Sequence, residues 1–270
     1  MAHVGISELD LLELAVPIAA SGAATAARMR AVGITGLDTK STLTDVVTAA
    51  DRQVERQIVE ALRLLRPADA ILGEEYGGDG QNASGIRWII DPIDGTVNYL
   101  YGIPQYAVSI AAEVDGEVVA GVVHHAAGGG VWTAAKGHGA WREGRRLTGS
   151  AETDPARALV ATGFAYAAAL RRHQGRVVAG VLPRVRDIRR FGSAALDLCA
   201  AAEGTVDAFY EKGLAAWDLA AGGLIAREAG LIVSGLGGAP AGPDLALAAP
   251  PALHGPLHDL LLELDAAGRP

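Results

Sequence analysis

The sequence predicts an α+β fold, in which helices pack on sheets that contain antiparallel strands. Two apolar runs rich in β-branched residues, 107–114 and 117–123, are joined by Asp115-Gly116, a dipeptide typical of β-hairpin turns. Elsewhere, strand-like runs alternate with segments of helical periodicity. The chain has 270 residues, of which 50% are hydrophobic, so it can bury a full core. Together these observations argue against an all-parallel sheet.

Composition limits the classes of function. The net charge of −8 and the isoelectric point near 5.4 argue against a general nucleic-acid surface. Cys199 is the single cysteine, which rules out an intramolecular disulfide and is typical of a reducing compartment. The N-terminus lacks a secretion-signal pattern, and no uninterrupted apolar run reaches the ~18 residues of a membrane span. We therefore expect a cytoplasmic protein with no membrane association and no nucleic-acid partner.

The first part of the chain predicts two helices and a short strand. Apolar residues recur at helical spacing over 7–32, where Ser7 can cap the helix, and again over 54–65. Arg66-Pro67 ends the second helix, and Ala70-Ile71-Leu72 predicts a strand. Gly73-Glu74-Glu75 follows that strand directly, so acidic side chains stand at its end.

Acidic residues also follow the next predicted strand. The apolar run 88–90 predicts a buried strand that Pro92 and Gly95 should break, and Asp91 and Asp94 follow it three residues apart. Carboxylates beyond a core strand need a cation, a cluster of donors or a hydroxyl as partner. A divalent ion is the simplest partner. Gly95-Thr96 can open a helix whose free N–H groups suit a phosphate.

The remaining pattern places a boundary in the middle of the chain. Further strands are predicted at 131–135 and 139–141, and 148–155 is a polar, irregular connection. We divide one compact unit into an N-terminal half, 1–147, and a C-terminal half, 148–270. The C-terminal half predicts strands at 158–162, 187–189 and 207–210 and helices at 167–181, 194–202 and 217–229. A stretch rich in Gly, Pro and Ala follows at 235–251, and a short amphipathic segment at 257–264.

Each acidic residue also has an ordinary explanation. Glu74 and Glu75 suit a solvated loop, and Asp91, Asp94 and Asp218 suit helix caps. A shared site is favoured because three separate segments each place an acid at a strand end or helix start. Distant carboxylates converge in this way on hard cations such as Mg²⁺.

Five blocks, in the same order, resemble the inositol monophosphatase family. They are Lys40 with Asp45-Val46-Val47-Thr48-Ala49-Ala50-Asp51, Gly73-Glu74-Glu75, Asp91-Pro92-Ile93-Asp94-Gly95-Thr96-Val97-Asn98, Phe209-Tyr210-Glu211 and Trp217-Asp218-Leu219-Ala220-Ala221-Gly222. Haloacid dehalogenase phosphatases carry a similar motif, but with one residue between the acids and near the N-terminus. The resemblance implies a layered αβαβα sandwich of the inositol monophosphatase and fructose-1,6-bisphosphatase type, with the site between its two halves.

The resemblance also implies a Mg²⁺-dependent, lithium-sensitive phosphatase that uses two or three ions. Glu74, Asp91 and the Ile93 carbonyl would bind one Mg²⁺. Asp91, Asp94 and Asp218 would bind a second, and a third, weaker ion would lie near Glu74.

By the same resemblance, a metal-activated water attacks the phosphate without a covalent intermediate. Glu74 and Thr96 would orient and activate this water, with Asp51 accepting from the Thr96 hydroxyl. The amides of Gly95 and Thr96 would hold the phosphate. The alternative for Thr96 is a simple helix cap.

Substrate contacts are implied in the C-terminal half. The residues that would contact the polyol are Asp94, Gly192, Ser193, Ala194 and Glu211. Ser193 stands where many family members have Thr, which keeps a hydroxyl in place. Lys40 would support the metal-binding loop. Arg189 and Arg190 either reach phosphate or a neighbouring subunit, or form a solvated basic pair.

Inositol 1-phosphate is the leading substrate by this resemblance. Fructose 1,6-bisphosphate, histidinol phosphate and 3′-phosphoadenosine 5′-phosphate are the alternatives of the same class. From another class, the chain could be a non-catalytic regulatory or binding protein on the same fold, which would show a lost ligand or a missing Thr96. Family members often form homodimers, so we expect a homodimer here.

Overall fold

The computed structural model describes residues 6–40, 46–79 and 82–268. Asp45, from the first of the five blocks, lies outside the described residues. The α-helices are α1 (Glu8–Val32), α2 (Ala49–Leu65), α3 (Thr96–Tyr101), α4 (Ala168–Val181), α5 (Ala194–Glu203), α6 (Ala216–Glu228) and α7 (Pro251–Glu263). The strands are β1 (Asp38–Thr39), β2 (Val46–Val47), β3 (Ala70–Gly73), β4 (Gly77–Asp79), β5 (Ile86–Asp94), β6 (Ala107–Val114), β7 (Glu117–His125), β8 (Val131–Ala135), β9 (Gly139–Arg142), β10 (Arg145–Arg146), β11 (Leu159–Thr162), β12 (Asp187–Arg189), β13 (Ala208–Glu211), β14 (Ile232–Ser234) and β15 (Ala246–Ala249).

Thirteen of the fifteen strands in the described residues form two large mixed sheets, and β1 pairs with β2 in a separate antiparallel pair. The eight-stranded sheet has the order β10-β9-β8-β7-β6-β5-β3-β4, and β3 with β5 is its parallel pair. The five-stranded sheet has the order β12-β11-β13-β15-β14. Strand β11 is parallel to its neighbours β12 and β13, and β15 is antiparallel to its neighbours β13 and β14. The predicted hairpin is β6 with β7. The prediction of an α+β fold is confirmed.

Helices and sheets alternate in five layers. Helices α1 and α2 cover one face of the eight-stranded sheet, α5 and α6 fill the space between the two sheets, and α4 and α7 cover the outer face of the five-stranded sheet. This order is the αβαβα sandwich that the resemblance implies. The eight-stranded sheet lies before residue 147 and the five-stranded sheet after it, while the division into two halves stays a prediction.

Helix α1 is a core element. By length and composition it could cross a membrane. Its apolar side chains, however, pack against α2 and the sheet, and Leu11, Ala15, Ala19, Ala23 and Ala26 are buried along one face. The Ser7 hydroxyl caps the helix by accepting from the Asp10 amide at 3.2 Å. Burial against the sheet accounts for the apolar character of this helix.

The structure differs from the sequence pattern at two places. Strand β5 does not break at Pro92 but runs on to Asp94 through a bulge, because a bulge tolerates a residue that cannot donate to the ladder. Within the Gly/Pro/Ala-rich stretch 235–251, where the pattern predicts no strand, Ala246–Ala249 forms β15, and α7 begins at Pro251, earlier than predicted. The alanine-rich run carries no β-branched residue, and its pairing with β13 and β14 makes it a strand.

Candidate active site

Three carboxylates from distant segments meet at the end of β5. Asp91, Asp94 and Asp218 each present an oxygen, and these oxygens all lie within 4.8 Å of one another. Asp91 and Asp94 lie on β5 on either side of the bulge, and Asp218 lies in the first turn of α6. The bulge in β5 and the start of α6 therefore build the cluster.

The charge of this cluster suits a divalent cation. Burial, with the negative charges of Glu74, Asp94 and Asp218, raises the pKa of Asp91 well above its usual range. Burial also raises the pKa of Glu74, to about 7, although Lys40 opposes this shift. Mutually repelling buried carboxylates are stabilised by a bound cation. The donor set consists of oxygens alone and therefore fits a hard ion such as Mg²⁺.

Two of the carboxylates also hold helix starts. Asp94 Oδ2 accepts from the Ser193 hydroxyl at 2.5 Å and from the Ala195 amide at 2.7 Å, at the beginning of α5. Asp218 Oδ2 accepts from the Ala215 amide at 2.6 Å, at the beginning of α6. Each carboxylate can use its other oxygen for a metal ion. Asp94 and Asp218 can therefore stabilise helix starts, as a cap would, and also bind a metal ion.

Thr96 lies directly after the bulge, at the start of α3. Its hydroxyl is 3.1 Å from Asp51 Oδ1 and 3.1 Å from the Ile93 carbonyl oxygen, so its single hydrogen can go to either acceptor. Asp51 is fixed in turn by Thr48, whose N–H and hydroxyl both donate to Asp51 Oδ2. The structure thus brings Asp51, Ile93 and Thr96 together.

The turn after β5 requires glycine. Gly95 has φ +96°, and a Cβ there would lie 2.8 Å from the Gln105 carbonyl oxygen and 3.1 Å from that of Gly192. The Asn98 amide group donates to the carbonyls of Gln105, at 2.8 Å, and Phe191, at 2.7 Å. The turn is therefore tied to the loop that precedes α5.

Lys40 and Glu74 line the same cleft as the three aspartates. The Lys40 ammonium donates to Glu74 Oε1 at 2.8 Å and to Glu75 Oε1 at 2.5 Å. The Glu74 amide donates to the Ile90 carbonyl at 3.2 Å, which fixes the loop to β5. These contacts suit the predicted support of this loop by Lys40.

A cleft of about 260 Å³ contains the carboxylate cluster with Glu74, Ile93, Gly95 and Thr96. A pocket of about 140 Å³ adjoins it and shares Asp94, Gly95 and Asp218 with it. Gly192, Ala194, Arg190 and Glu211 line this second pocket. Asp51 and Ser193 are buried behind the residues that line the cleft and the pocket, with 0% and 1% of their surface exposed. The Ser193 hydroxyl donates to Asp94.

Glu211 is a half-buried residue whose carboxyl group lies at the adjoining pocket. Burial, with the charge of Asp94, raises its pKa to about 8, and Arg190 opposes this shift. Gly163 faces it closely, since a Cβ at Gly163 would lie 2.1 Å from Glu211 Oε2. At neutral pH Glu211 can therefore either donate a hydrogen bond or accept one.

Sequence reasoning missed two buried acids near the site. Glu55 is 0% exposed and accepts from the amides of Glu75 and Tyr76. Asp197 is 1% exposed, and neither carboxylate oxygen has a hydrogen-bond partner among the described residues. Each could have been found as an acid on an otherwise apolar helix face, because such a position predicts burial.

Comparisons with known proteins identify the family. The sequence model of the inositol monophosphatase family matches residues 9–264. The chain belongs to the inositol monophosphatase family. This membership confirms the resemblance carried by the five blocks.

Relatives within the inositol monophosphatase family carry two kinds of name. The inositol-1-monophosphatase of Mycobacterium leprae is 50% identical over 202 residues, which cover 72% of this chain and 69% of the relative. The Nus factor SuhB of Pasteurella multocida is 40% identical over 195 residues, covering 72% and 73%. The solved structure of Mycobacterium tuberculosis SuhB superposes with a TM-score of 0.82 at 39% identity, covering 97% of this chain and 100% of the other.

Proposed function

We propose that this protein is a Mg²⁺-dependent phosphomonoesterase that hydrolyses a small polyol or sugar phosphate, with inositol 1-phosphate as the leading substrate. The observation that carries the proposal is the cluster of Asp91, Asp94 and Asp218, whose oxygens lie within 4.8 Å of one another in a cleft shared with Glu74. Family membership and the inositol-1-monophosphatase relatives support it.

Two or three Mg²⁺ ions would be held by oxygen atoms of this chain. Glu74, Asp91 and the Ile93 carbonyl would hold one, and Asp91, Asp94 and Asp218 another. When bound, the ions supply positive charge for the phosphate oxygens and a more acidic water.

The remaining residues orient the reacting groups. Asp51 accepts the Thr96 hydrogen, so that the Thr96 oxygen can accept a hydrogen from the attacking water while Glu74 accepts the other. The amides of Gly95 and Thr96, at the start of α3, would hold the phosphate. Thr96 acts here as a relay for protons and not as a nucleophile.

The adjoining pocket would hold the alcohol portion of the substrate. Glu211 would bind a hydroxyl group, and Gly192 and Ala194 would leave room for a polyol ring beside Asp94. The sizes of the cleft and the pocket suit a small ester. We further expect a cytoplasmic homodimer.

A second candidate function is a regulatory or binding role without catalysis. The relative named Nus factor SuhB is the observation that favours it. Thr96 and all the expected metal-binding side chains are present, which favours catalysis.

The test is phosphate release by the purified protein, with Mg²⁺ and with chelator. The substrates are inositol 1-phosphate, fructose 1,6-bisphosphate, histidinol phosphate and 3′-phosphoadenosine 5′-phosphate. We expect Mg²⁺-dependent release that is fastest with inositol 1-phosphate. Release from none of them, despite measured Mg²⁺ binding, would favour the non-catalytic candidate.

A further inference from the structure

Two buried carboxylates lie one helical turn apart on α2. Asp51 and Glu55 are both 0% exposed, and their spacing of four places them on one face of the helix. The buried apolar residues of the same helix are Ala50, Val54, Ile58 and Leu62. A carboxylate among such residues costs free energy unless it is hydrogen-bonded, so these two acids need partners.

Each acid bonds to a different segment of the proposed metal site. Asp51 accepts from Thr96, in the turn after β5. Glu55 accepts from the Glu75 amide at 2.8 Å and from the Tyr76 amide at 3.0 Å, in the turn after β3. Bonds from amides to an ionised carboxylate are stronger than bonds between neutral groups. Helix α2 therefore fixes the two segments relative to each other.

Gly73 provides the space that Glu55 needs. A Cβ at Gly73 would lie 2.1 Å from Glu55 Oε1 and 2.5 Å from its carboxyl carbon. The carboxylate thus lies beneath the strand end, directly before Glu74. A side chain at position 73 would push it away from the two amides.

We propose that Glu55 is a positioning residue, which holds the turn 73–76 so that the Glu74 carboxylate reaches the metal ion. The proposal rests on the proposed function, because it takes Glu74 as a metal ligand. Glu55 acts through the backbone of the turn and does not itself touch metal or substrate.

The first test replaces Glu55 by Gln, with Glu60→Gln as the matched control, since Glu60 is an exposed glutamate on the same helix. The two N–H groups bind different oxygens of Glu55, so in E55Q one of them faces the NH₂ group of the side-chain amide and loses its acceptor, which loosens the turn. We expect Mg²⁺ binding to the metal-free protein, measured by calorimetry, to weaken about 10–100-fold, as for other residues that orient metal ligands. The Mg²⁺ concentration for half-maximal phosphate release should rise in parallel, with kcat largely recovered at saturating Mg²⁺. E60Q should match wild type.

The second test, Gly73→Ala, perturbs the same contact from the other side. The displaced atoms are the end of a flexible side chain, so the protein should still fold, and G73A should weaken Mg²⁺ binding in the same direction. If E55Q is folded and binds Mg²⁺ as tightly as wild type, the proposal is wrong. If E55Q does not fold, unchanged Mg²⁺ affinity in G73A overturns it instead. Failure of wild type to bind Mg²⁺ would refute the proposed function itself.

Discussion

Asp94 serves the fold and the site with a single side chain. One of its oxygens accepts from Ser193 and Ala195, which fixes the start of α5 against the end of β5. It also belongs to the cluster with Asp91 and Asp218. Its amide analogue can keep the first function and lose the second, because a carbonyl oxygen remains to accept the two hydrogen bonds.

We therefore expect Asp94→Asn to remove activity and to leave the fold intact. Turnover should fall at least ~100-fold, since a metal ion supplies several kcal/mol of charge stabilisation to the transition state. The melting temperature in chelator should not fall, because one of several repelling buried charges is removed. Asp244→Asn, at an exposed position, is the control for both measurements. Full activity in D94N would contradict the metal assignment.

At the scale of elements, the contact between α6 and β7 sets the position of Asp218. A Cβ on Gly121 would lie 3.0 Å from the Ala221 Cα and 3.3 Å from its Cβ. The neighbour is backbone and cannot move aside by a change of rotamer. Asp218 precedes Ala221 by about one helical turn, so any shift of α6 also moves this carboxylate.

Gly121→Ala should consequently weaken both stability and activity. Overpacking at a tight contact costs ~1–3 kcal/mol in the free energy of unfolding, which a denaturant titration measures. Turnover can fall by up to ~100-fold if Asp218 moves by about 1 Å. The control is Gly175→Ala in α4, where a Cβ meets nothing within 4 Å, and which should raise stability by ~0.5–1 kcal/mol. Unchanged activity in G121A would show that α6 does not set the position of Asp218.

At the scale of the whole molecule, the protein gathers buried and half-buried acids around the end of β5 and the starts of α5 and α6. Burial raises the pKa of Asp91, Asp197 and Asp218 well above the usual range. Without metal, the folded state therefore holds protons at a pH where the unfolded chain has lost them. Such a group of acids could hold a cation. We expect the stability of the metal-free protein to depend on pH.

Glu211 gives this sensitivity a definite direction. Burial raises its pKa from the usual 4.5 to about 8 in the folded protein. Between these values the folded protein retains a proton that the unfolded chain has lost. The contribution of this proton to stability is therefore complete below pH 4.5 and is lost progressively between pH 4.5 and about pH 8. In chelator, the free energy of unfolding should fall with rising pH, by up to ~1.4 kcal/mol per pH unit for this group. The measurement is chemical denaturation at several values from pH 5 to pH 8. E211Q should show a smaller decline, and a stability that rises with pH would contradict the prediction.

Local sequence patterns are enough to predict the type of fold and a group of acids that needs a cation. Hairpin, helix and strand signals predict the α+β fold, because they depend on local periodicity and on turn residues such as Asp115-Gly116. The acids at strand ends predict a cation site for a similarly local reason, since a carboxylate beside a core strand needs a partner. The order of the five sequence blocks that contain these acids indicates the inositol monophosphatase family, and the comparisons confirm this family.

Which of these groups come into contact depends on the tertiary structure. The strand character of Ala246–Ala249 comes from its partners β13 and β14, and the bulge that aims Asp91 and Asp94 comes from the register with β6. The contacts of Glu55 with the turn after β3 join residues 20 and 21 positions apart. Such pairings arise from packing between distant segments, which local periodicity does not encode.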